Sequence, residues 1–547
     1  MKVAYEPAKY YKWAEIQNLM DQWCAAFPEL VKQYPIGKTY EGREIICLEM
    51  TSPKGDPTEK PGYYIDANFH AGEVTGSAVA LYTTSWLLEN YGTNEEATQI
   101  LDSRTIYMVP RVTIDGSELY LNTPYMIRSS VRLFPFTEDQ PGLHGEDLDG
   151  DGWITQMRVK DPHGEYKIDP EDSRLMIKRL PDEVEGDFYR VYSEGKIVEF
   201  DGVEVQHARS RWGLDVNRNM PAFWDIDAKQ IGSGDYALSE PETKSVADFL
   251  IKTKNIAGAQ SYHTTGEVHL RPCCTTPDKS MNPGDLAAYK ALGIRGVEYT
   301  GYGHCSVYDG YLAPEQRNSP LRGVYLDWIY NHRGILSWST ELWSVPHAAG
   351  GKKNDFSKDR QPYTDKDRES DMRKVAKWHD ENNLDNFVAW HEFDHPQLGK
   401  VEIGGWKQKF MFQNPPPQFL PELCEKNMKF TNVQIRALAE LDIRKVKVEK
   451  KAEGLYEITC GIVNKGYLPT GGSHLAEQIK VVRPVEVSVT GDNLQVPNGK
   501  CILKLNQLKG REEKKAQWLV LGTAGQTITI TAKSERAGTA RHSVTLP

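Results

Sequence analysis

Apolar positions along this chain recur with two periods. Residues 11–33 and 74–90 carry them at helical spacing, the second run closing at Gly92. Residues 43–50 ("REIICLEM"), 63–69, 105–112 ("TIYMVPRV"), 256–263 ("IAGAQSYH") and 334–343 ("GILSWSTELW") are apolar runs of strand length. Ser239 and Glu242, in capping-box spacing, open a helix ahead of the fourth run, and "GVYLDWIYNH" forms one ahead of the fifth. Strands alternating with helices predict an α/β unit with a mixed, largely parallel open sheet covered by helices on both faces.

Further along, a helix near 369–383 and a turn-rich stretch at 393–406 finish this unit at about residue 412. "NPPPQFLP" (414–421) is a proline-rich break, and residues 413–442 read as a linker and a helix. From 443 to 547 the pattern changes to short alternating segments, "GLYEITCGIVN", "VEVSVTG", "AQWLVLG" and "QTITITAKS" among them, separated by Gly, Asn and Lys. That pattern predicts a C-terminal all-β sandwich of immunoglobulin-like type.

Composition narrows the classes. A chain of 547 residues has room for two or three units, and its net charge of -10 with no basic stripe argues against nucleic acid as a partner. The nearest candidate, "KVKVEKK" at 445–451, reads as a solvated strand face. No apolar run approaches the roughly 20 residues that span a bilayer, and the opening "MKVAYEPAKYYKW" lacks a signal-peptide core. None of the eight cysteines lies in a CxxC pair, so they read as reduced core or loop residues, adjacent Cys273 and Cys274 included.

The chemistry begins at "NFHAGEVTG" (68–76), where His70 and Glu73 stand at a strand-to-helix turn. Alone, the pair reads as a core histidine and a helix-start glutamate. His263, closing a distant strand, changes the balance, because ligands of open α/β sheets gather outside the carboxyl ends of the strands. Two histidines and a carboxylate are a ligand set of catalytic zinc, which keeps a fourth position for water or substrate. Glu341, a carboxylate inside the apolar run "SWSTELW", is a candidate general base; pairing with an arginine is the structural alternative.

Together these residues resemble the zinc carboxypeptidase family, that of carboxypeptidase A, over roughly residues 5 to 400. The motifs HxxE at 70–73, "DGSELYLNTPYMIRSS", "GLDVNRN" at 213–219, "SYH" ending at His263 and "STEL" around Glu341 occur in the family's order. The resemblance implies one zinc ion held by His70, Glu73 and His263, with Glu341 as base and later proton donor. It makes Arg128 the stabiliser of the oxyanion and Asn217 and Arg218 the grip on a substrate's terminal carboxylate. It also gives Asp215 the orienting of a ligand histidine, against a plain turn aspartate, and places pocket specificity near Leu326. Counted back from Asp327, the family's mobile tyrosine falls on Ser319, and Tyr308, Tyr311 and Tyr325 are the open candidates to take its place.

An insertion near 135–205 contains "DLDGDGWITQMR", in which Asp147, Asp149, Asp151, Gly152 and the Trp153 carbonyl follow the first half of a calcium loop. Arg158 takes the twelfth position, so a calcium ion there needs a later carboxylate such as Asp161 or Asp169; an acidic surface turn is the alternative. The expected function is a metallocarboxypeptidase that hydrolyses the C-terminal peptide bond with a zinc-activated water. A zinc deacylase or cell-wall peptide amidase, acting on acylated amino acids or peptides with a free carboxylate, is the alternative. A noncatalytic, calcium-stabilised binding protein is a third reading, disfavoured by the presence of both Glu341 and Arg128. The calcium-like loop and appended sandwich point to an exported protein whose signal is absent from this chain, with the cytosol as the other compartment.

Overall fold

Eight strands form the main sheet, in the spatial order Val31–Lys38, Glu44–Met50, Thr105–Val109, Gly62–Ala67, Ile256–Thr264, Leu336–Leu342, Val268–Arg271 and Gly303–Ser306. They belong to a computed structural model describing residues 3–353, 355–356, 362–497 and 499–547. The four central strands, from Thr105–Val109 to Leu336–Leu342, are mutually parallel, and antiparallel pairs lie toward the edges. Tyr63 and Tyr64 show why the sheet is buried on both sides. As neighbours on one strand they face opposite ways. Tyr63 donates its hydroxyl to Gln434 of the helix Leu420–Ala437, while the Tyr64 ring packs on Phe249 of the helix Pro241–Lys252.

Several elements differ in extent from their sequence pattern. The first helix covers only Trp13–Ala26, and Val31–Lys38 is an edge strand; Pro28 and Pro35 do not favour a continued helix, and an edge strand tolerates the second of them. Ser239 does not cap its helix. Pro241 starts that helix after Glu240, and the Ser239 hydroxyl donates to Glu240 Oε1. The stretch 393–406 is a hairpin, Phe387–His395 with Gly399–Trp406, and its second strand pairs with Gln156–Lys160 of the insertion in a separate six-stranded sheet. The insertion is thus folded onto the body of the protein.

The helix expected to join two units instead belongs to the first. Leu420, Leu423, Cys424, Phe430 and Ile435 of Leu420–Ala437 share the main core. Its buried polar side chains bond to the sheet as well: Gln434 Nε2 donates to Gln260 Oε1 at 3.1 Å, and Thr431 contacts the Tyr262 hydroxyl at 2.5 Å. Beyond it, two antiparallel sheets of three and four strands, spanning Leu441 to Thr545, share one apolar cluster that includes Ile458, Trp518, Val487 and Ile530. All eight cysteines are free thiols, and no helix among the described residues is long and apolar enough to cross a membrane.

The C-terminal sheets are anchored through buried polar groups. Arg536, 2% exposed, donates to the carbonyls of Arg333 at 2.7 Å, Gly334 at 3.0 Å and Gly471 at 2.8 Å. These include the last carbonyls of the helix Tyr325–Arg333, where a cation is favoured by the helix dipole. Gly334 ends that helix in the left-handed region (φ 57°), and a Cβ there would lie 2.5 Å from Ala476 Cα. Burial, with Arg333 adding to it and Glu535 opposing it, lowers the Arg536 pKa to about 9, and the three carbonyls take its hydrogen bonds. Replacing Arg536 with Ala strands them, and the folded protein should lose about 3 kcal/mol in urea denaturation. A loss below about 1 kcal/mol would show the contact to be dispensable.

Candidate active site

The turn after Gly62–Ala67 is shaped by small local devices. Asn68 takes a left-handed conformation (φ 60°), which asparagine tolerates, and its amide donates to the carbonyls of His70 and Ala71, both at 3.3 Å. Gly72 answers why a glycine lies between the two ligand candidates. A Cβ there would sit 2.9 Å from the Tyr120 ring and 2.8 Å from the Gln413 side chain. The turn therefore packs flat and swings His70 and Glu73 toward the end of Ile256–Thr264, where His263 lies.

Three donor atoms then meet. His70 Nδ1 is 2.9 Å from Glu73 Oε1, His263 Nδ1 is 3.0 Å from Glu73 Oε2, and the two Nδ1 atoms are 3.1 Å apart. All three residues are buried. Tetrahedral zinc with bonds near 2.0–2.1 Å separates its ligand atoms by roughly 3.3 Å, so the donor set fits such an ion. The far nitrogens are also engaged: His70 Nε2 contacts Asp215 Oδ1 at 3.1 Å and His263 Nε2 the Ser261 hydroxyl at 3.3 Å. Partners of that kind fix the tautomer and ring orientation of a ligand histidine. Burial opposes the charge of Glu73, but His70 and His263 outweigh it and hold its pKa below the usual carboxylate range.

Asp215 links this cluster to the cations. Its Oδ2 accepts from Arg128 Nε at 3.0 Å and lies 3.9 Å from Arg218 Nη2, and Arg128 Nη1 reaches Glu73 Oε1 at 3.2 Å. Burial alone would raise the Asp215 pKa; Arg128, Arg218 and His70 together hold it well below its ordinary value. Arg128 keeps 45% of its side chain exposed, leaving an open face for a ligand. Asn217 gives its amide oxygen to the Tyr325 N–H at 2.9 Å, so its amide nitrogen is the group left to donate. Glu341 stands directly beside His263 in the parallel register. Burial, then the nearby Glu73 charge, push its pKa up, while His263, Arg128 and Arg218 pull it down.

Other expectations meet a different environment. Leu326 is 1% exposed and packed within an apolar cluster with Val268, Leu270, Cys274 and Val324. Tyr325 is fully buried with its ring 5.1 Å from Phe69, which removes it as a mobile residue. Asp147, Asp149 and Asp151 converge in a group that could hold a cation, while Asp161 and Asp169 are paired with arginines. Asp161 pairs with Arg190 at 2.6 Å and Asp169 with Arg373 at 2.6 Å. Arg158, in the twelfth position, is buried and holds Glu402 with two bonds of 2.8 and 3.1 Å. The aspartates accept from backbone amides of their own turn, and Asp149 also meets His391 at 3.2 Å.

The sequence pattern missed Asn414. Fully buried, it donates through Nδ2 to the Gly72 carbonyl at 2.8 Å, and its Oδ1 accepts from the Thr75 N–H at 3.0 Å and hydroxyl at 2.8 Å. It braces both ends of the turn that carries Glu73. Lys409, lowered to about 8 by burial, donates nearby to the carbonyls of Tyr120 and Thr123 at the end of Ile114–Asn122, the segment leading to Arg128. An asparagine before a proline run reads as a turn, and nothing local marks it as a brace.

Comparison with known proteins gives the family of the chain. The family model described as zinc carboxypeptidase matches residues 16–151 and 197–350, and the chain belongs to that family. A second model, described as a domain of unknown function, matches residues 440–545. The chain is similar to bovine (Bos taurus) carboxypeptidase B, 31% identical over 61% of this chain and 63% of the relative. It is similar also to bovine carboxypeptidase A1, 25% identical over 61% of this chain and 62% of the relative. The matches thus span about three fifths of these relatives' length. A solved structure of thrombin-activatable fibrinolysis inhibitor aligns with 79% of this chain and 77% of its own at 16% identity and a TM-score of 0.45.

Because Asn414 holds the ligand turn from behind, Asn414→Ala should weaken zinc binding by about 10- to 100-fold, the usual cost of losing a supporting partner. Competition against a chromophoric chelator measures it. A folded variant with unchanged affinity would reduce Asn414 to a packing residue.

Proposed function

We propose that this protein removes the C-terminal residue of peptides as a zinc metallocarboxypeptidase. The observation that supports it is one juxtaposition: His70, Glu73 and His263 aim their donors at one point, Glu341 lies beside His263, and Arg128 and Arg218 share Asp215. Zinc held by the three donors supplies a Lewis acid at that point.

The side chains divide the remaining work. Arg218, 13% exposed, and the Asn217 amide bind the free carboxylate of the substrate, for which a guanidinium fork and an N–H donor are suited. That contact fixes which peptide bond lies over the centre. Arg128, held by Asp215 and partly open, offers positive charge where the carbonyl oxygen gains negative charge. Glu341 accepts a proton from the attacking water and returns it to the leaving amine. Asp215 keeps His70 and both arginines in place and does not itself exchange protons.

Two substitutions separate chemistry from binding. Glu341→Gln should keep zinc and substrate affinity and lower kcat by about 100- to 10,000-fold, read from initial rates with metal content measured in parallel. An unchanged rate would move the base elsewhere. Arg218→Met should erase the preference for a free-acid peptide over its C-terminal amide, an effect of roughly 10- to 150-fold. If the unmodified enzyme cleaves both forms equally, or takes N-acyl amino acids and not peptides, the deacylase or amidase reading replaces this one.

A further inference from the structure

Two polar levels are stacked on one face of the central strands. Alternate residues of a strand share a face, and partners in register across neighbouring strands share it as well. His263 stands beside Glu341 at the upper level. Two residues earlier, Ser261 stands between Asp66 of Gly62–Ala67 and Ser339 of Leu336–Leu342. Tyr64, two residues before Asp66, lies on that face with its ring against Phe249, and Tyr325 brings its hydroxyl toward Asp66 from the neighbouring helix. Asp66, Ser261, Tyr64 and Tyr325 are all completely buried.

The hydrogen-bonding needs of the lower level are complementary. A metal-bound nitrogen carries no proton, so with Nδ1 of His263 facing Glu73 and His70, the ring proton belongs on Nε2 and is donated to the Ser261 hydroxyl at 3.3 Å. Ser261 is left with its own O–H to donate. The Tyr64 and Tyr325 hydroxyls make no direct hydrogen bond among the described residues, and neither does either oxygen of Asp66. Hydroxyls without an acceptor thus surround a carboxylate without a donor, and a carboxylate has roughly four lone-pair sites to offer. Buried groups of this kind are costly unless they satisfy one another. Burial raises the Asp66 pKa, opposed by the Ser261, Tyr64 and Tyr325 hydroxyls, to about 7.

Resting on the zinc reading, we infer that Asp66 is a positioning residue: it accepts from the Ser261, Tyr64 and Tyr325 hydroxyls, and through Ser261 it fixes the tautomer and direction of the His263 ring. The two ligand histidines are then held alike. His70 is held by the Asp215 carboxylate directly, and His263 by the Asp66 carboxylate through one hydroxyl. Through Tyr325 the same carboxylate anchors the residue whose N–H holds Asn217 at 2.9 Å. Asp66 touches no substrate and exchanges no proton in the reaction; it acts through the groups it orients.

The test uses the full chain and zinc alone, with affinity read by competition against a chromophoric chelator. Asp66→Ala and Ser261→Ala should each weaken zinc binding by about 10- to 100-fold, whereas Ser261→Thr, which keeps the hydroxyl, should retain the affinity. Because both residues act through one link, the double variant should lose no more than about twofold beyond the larger single loss. A folded Asp66→Ala with unchanged affinity, or losses that multiply in the double variant, would overturn the assignment. Should Asp66→Ala not fold, the cycle is run between Ser261→Ala and Tyr325→Phe, whose hydroxyls share the one acceptor. The loss caused by Ser261→Ala should then differ by more than about twofold between the two backgrounds, and equal losses would overturn the shared acceptor. An unmodified chain that takes no zinc from the chelator would instead count against the zinc reading itself.

Discussion

One buried carboxylate, that of Asp215, holds the site together. A charge in that position is costly unless it is paired, and it has three partners: the His70 ring, Arg128 and Arg218. The arrangement is therefore reciprocal. The cations stabilise Asp215 as an anion, and Asp215 fixes the direction in which each partner points. Loss of that anion would leave two arginines repelling one another and the His70 Nε2 without its partner. A metal-binding side and a substrate-binding side that arise from separate stretches of chain thus meet on two oxygen atoms.

Fixing side chains is useful only if the backbone beneath them is also fixed. The ligand turn is held in front by Asn68 and behind by Asn414, whose amide satisfies a carbonyl and an N–H that the turn would otherwise bury unpaired. Asn414 can reach that position because Tyr120 and Lys409 form a wall behind Gly72, and because the preceding hairpin is bound into the sheet built by the insertion. The insertion therefore supports the segment that supports the metal ligands. That arrangement also gives Arg158 its use: it ties the insertion to the hairpin through Glu402 rather than completing a cation loop.

The parts of this design legible in the sequence are those with a local or repeating signature. The central strands were legible because burial on both faces makes continuous apolar runs, Glu341 because it sets a costly carboxylate inside such a run, and His70 and Glu73 only once His263 was set beside them. Arg128, Asn217 and Arg218 were legible through resemblance alone, since an isolated arginine or asparagine carries no sign of what it faces. Asn414, Lys409 and Arg536 were invisible for one shared reason. Each is defined by carbonyls brought to it from distant segments, and a backbone carbonyl is the same in every residue. The helix Leu420–Ala437 was misplaced between two units because its apolar positions show that one face is buried but not against what. Its buried Thr431 and Gln434, polar residues that need partners, were the available hint.

The same reasoning bears on the C-terminal sheets. A module joined by a flexible linker meets its neighbour through an interface that tolerates separation, with polar groups that water can satisfy when it opens. Here the joint is made of groups that water reaches poorly. Arg536 sits among three carbonyls, and Asp285, 1% exposed, accepts from the backbone of His474 and Leu475 and from the Tyr330 hydroxyl. The helix that receives both contacts, Tyr325–Arg333, offers its N-terminal backbone N–H to Asn217 and runs directly into the strand bearing Glu341. One end of that helix is thus docked against the C-terminal sheets, while the other meets Asn217. The C-terminal sheets are in this way tied by buried polar contacts to the helix that precedes the strand bearing Glu341.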